Sequence, residues 1–150
     1  MLSIPTKPRY GLRALLDISL HEEPGSPVLL KDIARRQQIS ERYLEHVVTS
    51  LRNAGLVKSI RGSKGGYFLG RTPIEITVMD VFRATSGSPE LVECIENSEA
   101  CERSDMCAAR ILWTRVHSAM SEVMEETTLE SLIEMQRELE TPVVANMFYI

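Results

Sequence analysis

Cysteine is nearly absent from this chain, and the little there is lies in one place. Cys94, Cys101 and Cys107 are its three cysteines, all within the acidic stretch "ECIENSEACERSDMC". No two of them stand at the Cys-x2-Cys spacing of a zinc ribbon or redox dithiol, and an odd number of thiols excludes complete pairing within one chain. A long apolar run is missing too. The opening "KPRYGLRALLDISL" mixes charges with apolar residues at helical spacing, so neither a signal peptide nor a membrane span is expected. The expected compartment is the cytoplasm, with no membrane partner. Thiols stay reduced there, so three clustered cysteines point to metal ligands or redox sensors before structural disulfides. Internal repeats and low-complexity tracts are also lacking. What is present is apolar enough to fold: 43% of 150 residues are hydrophobic, which suffices for one or two small domains with real cores.

The net charge of −4 conceals a division along the chain. Residues 1–71 hold twelve Lys and Arg against six Asp and Glu, a balance of +6, whereas residues 72–150 hold five against fifteen, a balance of −10. Such asymmetry predicts a basic half that binds a polyanion and an acidic half with another task.

Periodicity supplies the elements. Tyr10, Leu12, Ala14, Leu15, Ile18 and Leu20 form the apolar face of an opening helix that ends before the loop Pro24-Gly25-Ser26-Pro27. "VLLKDIARRQQ" reads as a short helix with Leu30, Ile33 and Ala34 inside and Lys31, Arg35 and Arg36 outside. After a break at "IS", Ser40 caps a second helix on which Tyr43, Leu44, Val47, Val48 and Leu51 recur at threes and fours. Gly55 closes it, and "LVKSI" and "GYFLG" then flank "RGSKGG" as a hairpin. A helix-turn-helix followed by a hairpin is a winged helix. "ITVMDVFRATSG" predicts a further helix capped by Thr77 and ended by Gly87, and the cysteine segment follows as a loop. From Ala108 to Glu126 a long helix carries Ala109, Leu112, Val116, Ala119 and Val123 as a coiled-coil-like seam, widened by Trp113, Met120 and Met124, which calls for a partner. Thr127-x-x-Glu130 predicts a capping box for a last helix, and the apolar tail "TPVVANMFYI" is expected to dock. The fold class is mainly α with a small β-hairpin wing. The expected division is a DNA-binding winged helix over 1–72, a connecting helix and cysteine loop over 73–107, and a dimerisation helix, terminal helix and tail over 108–150.

The second helix of the pair offers an outer face of Ser40, Arg42, Glu45, His46, Thr49 and Arg52, side chains suited to phosphates and base edges in a major groove. Arg61 and Lys64 stand on a thin glycine tip, a shape and charge suited to a narrow groove or a phosphate. Nucleotide binding by "RGSKGG" is excluded, because the Walker spacing and the following helix N-terminus are both missing.

"ISERYLEHVVTSLRNAGLVKSIRGSKGGYFLG", preceded by "KPRYGLRALLDIS" and followed by "TTLESL", resembles the Rrf-type bacterial transcription regulators over about residues 6–135. That family has IscR-like, NsrR-like and CymR-like branches. The resemblance implies a homodimeric winged-helix repressor or activator on partly palindromic double-stranded DNA, with no catalytic residues. It implies Ser40, Arg42, Tyr43, Glu45 and His46 in the major groove and Arg61 with the Gly62-Ser63-Lys64 wing in the minor groove. It also implies an iron-sulfur cluster, two-iron two-sulfur ahead of four-iron four-sulfur, because cluster-binding members carry three cysteines in the loop before the long helix. Thiolates are soft ligands suited to such clusters, and acidic neighbours suit a metal-bound thiolate better than a bare reactive one. The chain departs from the pattern in its Cys-x6-Cys spacing, in Arg110 where IscR-like members have histidine, and in Arg9 where NsrR-like members use a carboxylate. The fourth ligand stays open among Glu93, Glu96, Glu99, Glu102, Asp105 and His117. Two alternatives stand beside the cluster regulator. One is a CymR-like, cluster-free regulator of cysteine or sulfur metabolism, signalled by a partner protein or by thiol oxidation. The other is a redox electron carrier, which has no need of a basic helix-turn-helix.

Overall fold

A computed structural model describes residues 3–141 of the chain. The tail beyond Thr141, expected to dock, lies outside those residues. The first helix, α1 (Thr6–His21), is the hub. Its Ala14, Leu15 and Ile18 are fully buried, and burying each of the two larger side chains contributes about 1.5–3 kcal/mol. Ile33 and Ala34 of α2 (Leu30–Gln37) and Leu44, Val47, Val48 and Leu51 of α3 (Glu41–Asn53) meet them from one side. Ile76, Val81 of α4 (Val78–Ser86), and Leu129 and Ile133 of α7 (Leu129–Glu140) close the same core. Gly11 lets the helices approach this closely: a Cβ there would stand 3.2 Å from both Thr85 Cγ2 and Val81 Cγ1.

The expected outward position of Arg36 is overturned. Its guanidinium bonds both oxygens of Asp17, with Nη2 at 2.6 Å from Oδ1 and Nε at 3.0 Å from Oδ2. Asp17 is 1% exposed, and Gln37 Nε2 adds a bond to its Oδ2 at 2.9 Å. Arg13 reaches the Gln37 side chain and carbonyl in turn. A buried carboxylate on α1 requires donors, and the fork of Arg36 supplies the charged one, beside the Gln37 amide. This tie fixes the end of α2, where Gln38 takes a left-handed conformation (φ 55°) and the chain turns into α3.

The wing is the hairpin β1 (Val57–Ile60) and β2 (Gly66–Leu69), antiparallel with Val57 opposite Leu69 and Ile60 opposite Gly66. It is moored to the chain around α1 and α2 at two places. Val28 exchanges two backbone bonds with Tyr67, at 2.9 and 2.8 Å. The Glu22 carboxylate accepts the Leu69 amide at 2.9 Å. At the hairpin base only glycine fits at position 70, since a Cβ would stand 2.1 Å from the Gly55 carbonyl oxygen.

Thr77 caps α4 with a full capping box to Asp80, and Gly87 ends it, both as the sequence predicts. The predicted box at Thr127 is corrected by one residue. Thr128 caps α7, accepting the Ser131 amide, while the Thr127 amide and hydroxyl both bond back to Val123 and close α6 (Ala108–Glu126). Pairing of Val78 N with Thr127 O and of Leu129 N with Ile76 O sets the two helix starts side by side, and that tertiary contact decides which of two adjacent threonines caps. The cysteine segment is also more ordered than a loop. It contains a single turn, α5 (Glu93–Glu96), and two 3₁₀ turns at Ser98–Ala100 and Ser104–Met106. Among the described residues no helix is long and apolar enough to cross a membrane.

Candidate nucleic-acid interface and cysteine segment

α3 divides cleanly into two faces. Ser40 Oγ accepts the Tyr43 amide at 3.3 Å, which starts the helix with Leu44, Val47, Val48 and Leu51 directed inward. Glu41, Arg42, Glu45, His46 and Arg52 are therefore exposed, with Thr49 half-buried. Tyr43 stands apart from them. Its half-buried ring meets Tyr10 edge-on, centroids 5.7 Å apart, and Arg13 lies 5.4 Å from the Tyr10 centroid. Tyr43 is thus held at the rim by packing.

On the wing, Arg61, Gly62, Ser63 and Lys64 are all exposed, and the turn closes through Gly65 N to Gly62 O at 3.0 Å, with Gly62 at φ 114°. Among the described residues Arg42, Arg52, Arg61 and Lys64 enter no ion pair, whereas Arg35 pairs with Asp32, Arg36 with Asp17 and Arg71 with Asp80. Among the described residues, then, Arg36 is the part-buried structural cation, Arg35 and Arg71 pair at the surface, and Arg42, Arg52, Arg61 and Lys64 on α3 and the wing stay free of ion pairs. Arg71 also donates to the Ala54 carbonyl at the end of α3. Lys58, exposed on β1 beside the wing tip, belongs with the free cations, although it lies outside the groove-facing set expected from the sequence. Its signal is the outward register of "VKSI".

The three thiols sit along the segment in different settings. Cys94 is half-buried in α5, Cys101 is exposed, and Cys107 is half-buried as the residue that caps α6. Among the described residues no three His, Cys, Asp or Glu side chains are gathered closely enough to hold a metal ion. The donor set fits an iron-sulfur cluster in kind, with three thiols inside fourteen consecutive residues of short turns, and any cluster would need the segment to rearrange. Of the proposed fourth ligands, Glu93, Glu96, Glu99, Glu102 and Asp105 are exposed and His117 is half-buried. Like charges crowd here: the hydrogen bond and charge of Glu96 hold the Glu90 carboxyl above its ordinary range, Glu93 adds to this, and His117 opposes it. Arg110 Nε donates to the Cys94 carbonyl at 2.8 Å and its Nη1 to the Ser104 carbonyl at 3.4 Å.

The seam of α6 is open to solvent in the single chain. Leu112 is 52% and Val123 64% exposed, Ala109 and Ala119 are exposed, Val116 and Met120 are half-buried, and Met124 alone on this helix is buried. At its other end α6 is tied to α4 by Arg83 and Glu125, 3.3 Å apart.

A family model described as an iron-dependent transcriptional regulator, Rrf2, matches residues 4–135. The HTH-type transcriptional regulator CymR of Bacillus subtilis is 44% identical over 131 residues, 87% of this chain and 89% of its own. The HTH-type transcriptional regulator IscR of Photorhabdus laumondii is 37% identical over 139 residues, 93% and 84%. Among solved structures, CymR, described as the global cysteine regulator of B. subtilis, superposes with a TM-score of 0.75 over 90% of this chain and 98% of that one. IscR of T. potens superposes with a TM-score of 0.76 at 35% identity, over 94% and 93%. With the helix-turn-helix, the wing and the free cations already in place, the chain belongs to the Rrf2 family and is a DNA-binding transcription regulator, not an enzyme.

Proposed function

We propose that the chain acts as a homodimer whose operator binding is set by an iron-sulfur cluster held on Cys94, Cys101 and Cys107. The observation that carries the reading is continuity: Cys107 is both the last thiol of the segment and the N-cap of α6, whose seam is exposed and offers a face for a second copy. A bound cluster supplies redox and ligand-exchange chemistry that protein side chains lack. The chain's own residues do the rest. The thiolates fix the segment to the start of α6, and Arg83 with Glu125 joins α6 to α4. The buried faces of α4, through Val81, and of α3, through Leu51, share one core, so the pose of α6 bears on how two recognition helices are spaced. Half-sites lie about 34–36 Å apart on DNA, which makes that spacing decisive. Ser40, Arg42, Glu45, His46 and Arg52 contact the major groove, with Tyr43 supporting them from the rim, and Arg61, Gly62, Ser63 and Lys64 enter the minor groove.

A second reading has its own observation. Arg110 occupies the place of the histidine of IscR-like members and bonds to carbonyls, which suits a cluster-free regulator of cysteine or sulfur metabolism, signalled by a partner protein or thiol oxidation. Similarity to a global cysteine regulator supports it as well. Cys101→Ala separates the two. The cluster reading expects a folded dimer without visible absorbance and with operator affinity changed about 5–150-fold, a typical coupling. Unchanged affinity, with a wild type that never binds iron, transfers the proposal to the second reading.

A further inference from the structure

We propose that Arg110 is a positioning residue that ties both ends of the cysteine segment to the first turn of α6. For its regulatory meaning this rests on the reading above, while the geometry stands without it. None of residues 90–107 is fully buried and only Leu91, Val92 and Ile95 among its large apolar residues are half-buried, so polar ties add to a thin apolar contact in placing the segment. Arg110 is the third residue of α6, and helical side chains lean toward the N-terminus, which carries its guanidinium back over Cys107. There it meets the carbonyls of Cys94, at 2.8 Å, and Ser104, at 3.4 Å. Five carboxylates lie between Glu93 and Asp105, yet among the described residues Arg110 forms no ion pair with any of them. The contact is therefore shaped for backbone oxygens, not for charge. Two carbonyls approached in different directions need the planar fork of guanidinium, which a lysine ammonium does not reproduce. The carbonyl of a ligand-bearing residue is thereby fastened to the helix that carries the exposed seam, and rearrangement of the segment requires its release.

The test uses full-length protein, freed of metal under reducing conditions, and the alkylation rate of each cysteine by neutral iodoacetamide, read by mass spectrometry. In wild type, Cys101 reacts faster than Cys94. Arg110→Ala and Arg110→Lys each raise the Cys94 rate about fivefold to tenfold, the range expected for losing one typical net hydrogen bond, and leave Cys101 unchanged. Arg103→Ala, which removes a cation from the same segment, leaves Cys94 unchanged. The sign discriminates: loss of a nearby cation by itself disfavours thiolate and slows alkylation, whereas loss of the tie accelerates it. Far-UV circular dichroism and sedimentation check folding, and Arg110→Lys keeps the charge should the alanine variant misfold. An unchanged or slower Cys94 in Arg110→Lys, or an equal rise in Arg103→Ala, overturns the proposal. A colourless wild type strikes the cluster reading instead and leaves these rates to be judged alone.

Discussion

Replacing Arg36 by methionine keeps an unbranched stem of similar length and removes every guanidinium bond to Asp17. The carboxylate is 1% exposed and would retain the Gln37 amide at 2.9 Å, with His21 Nδ1 at 3.7 Å. Stranding a buried charge costs about 3–5 kcal/mol, and because Arg36 itself is 28% exposed, water entering on its side places the expected loss near ~3 kcal/mol. Asp17→Asn should cost less, about 1–2 kcal/mol, since the partly exposed guanidinium can rehydrate from its open side. Combining Arg36→Met with Asp17→Leu removes both charges, and replacement of a buried pair by apolar side chains is often close to neutral. The assay is urea unfolding followed by far-UV circular dichroism, at one protomer concentration for all variants because dimerisation is linked to stability. The double variant should then be more stable than Arg36→Met alone. A loss below about 1 kcal/mol for Arg36→Met would refute the claim that this tie fixes the end of α2 beneath the recognition helix.

Further outcomes follow from the two surfaces. DNA affinity should fall about 10³–10⁵-fold between 50 and 200 mM salt if a dimer contacts roughly six to ten phosphates, and Arg61→Ala should lower affinity and flatten that slope by about two, roughly one per protomer, as read by fluorescence anisotropy. Val116→Asp puts a charge into the proposed interface and should give a monomer in sedimentation, at a cost of several kcal/mol; a stable mutant dimer would place the interface elsewhere. The raised Glu90 carboxyl contributes stability at low pH that is lost as pH rises through its folded value, and Glu96→Gln should return its NMR titration midpoint toward the ordinary range.

Much of the fold is legible in the amino-acid order alone, because the signals that carry it are local. Ser40, Thr77 and the Ala108–Glu126 helix announce themselves through short-range chemistry, hydroxyls that cap and apolar residues at threes and fours, and the structure keeps each of them. The pairing of Arg36 with Asp17 escapes such patterns because the two are 19 positions apart, and each looks like solvated charge on its own helix. Thr128 wins over Thr127 through a pairing with Ile76 and Val78 some fifty residues earlier, which no local pattern encodes. Tyr43 fits both the apolar repeat and the groove face, and only the edge-on contact with Tyr10 shows how it is held. For the cysteines, residue type is informative and geometry is not: spacing shows that three thiols share a segment, whereas the Arg110 tie depends on where α6 begins.

Control of operator binding by a cluster is tested most directly by the iron and acid-labile sulfide content of the anaerobically purified wild type, taken with its visible spectrum. Cluster ligation by the three thiolates predicts a coloured protein with iron and sulfide in equal amounts, close to a two-iron two-sulfur cluster per protomer, and loss of colour when Cys94, Cys101 or Cys107 is replaced by alanine. A colourless, iron-free protein that stays so after reconstitution with iron and sulfide would contradict it.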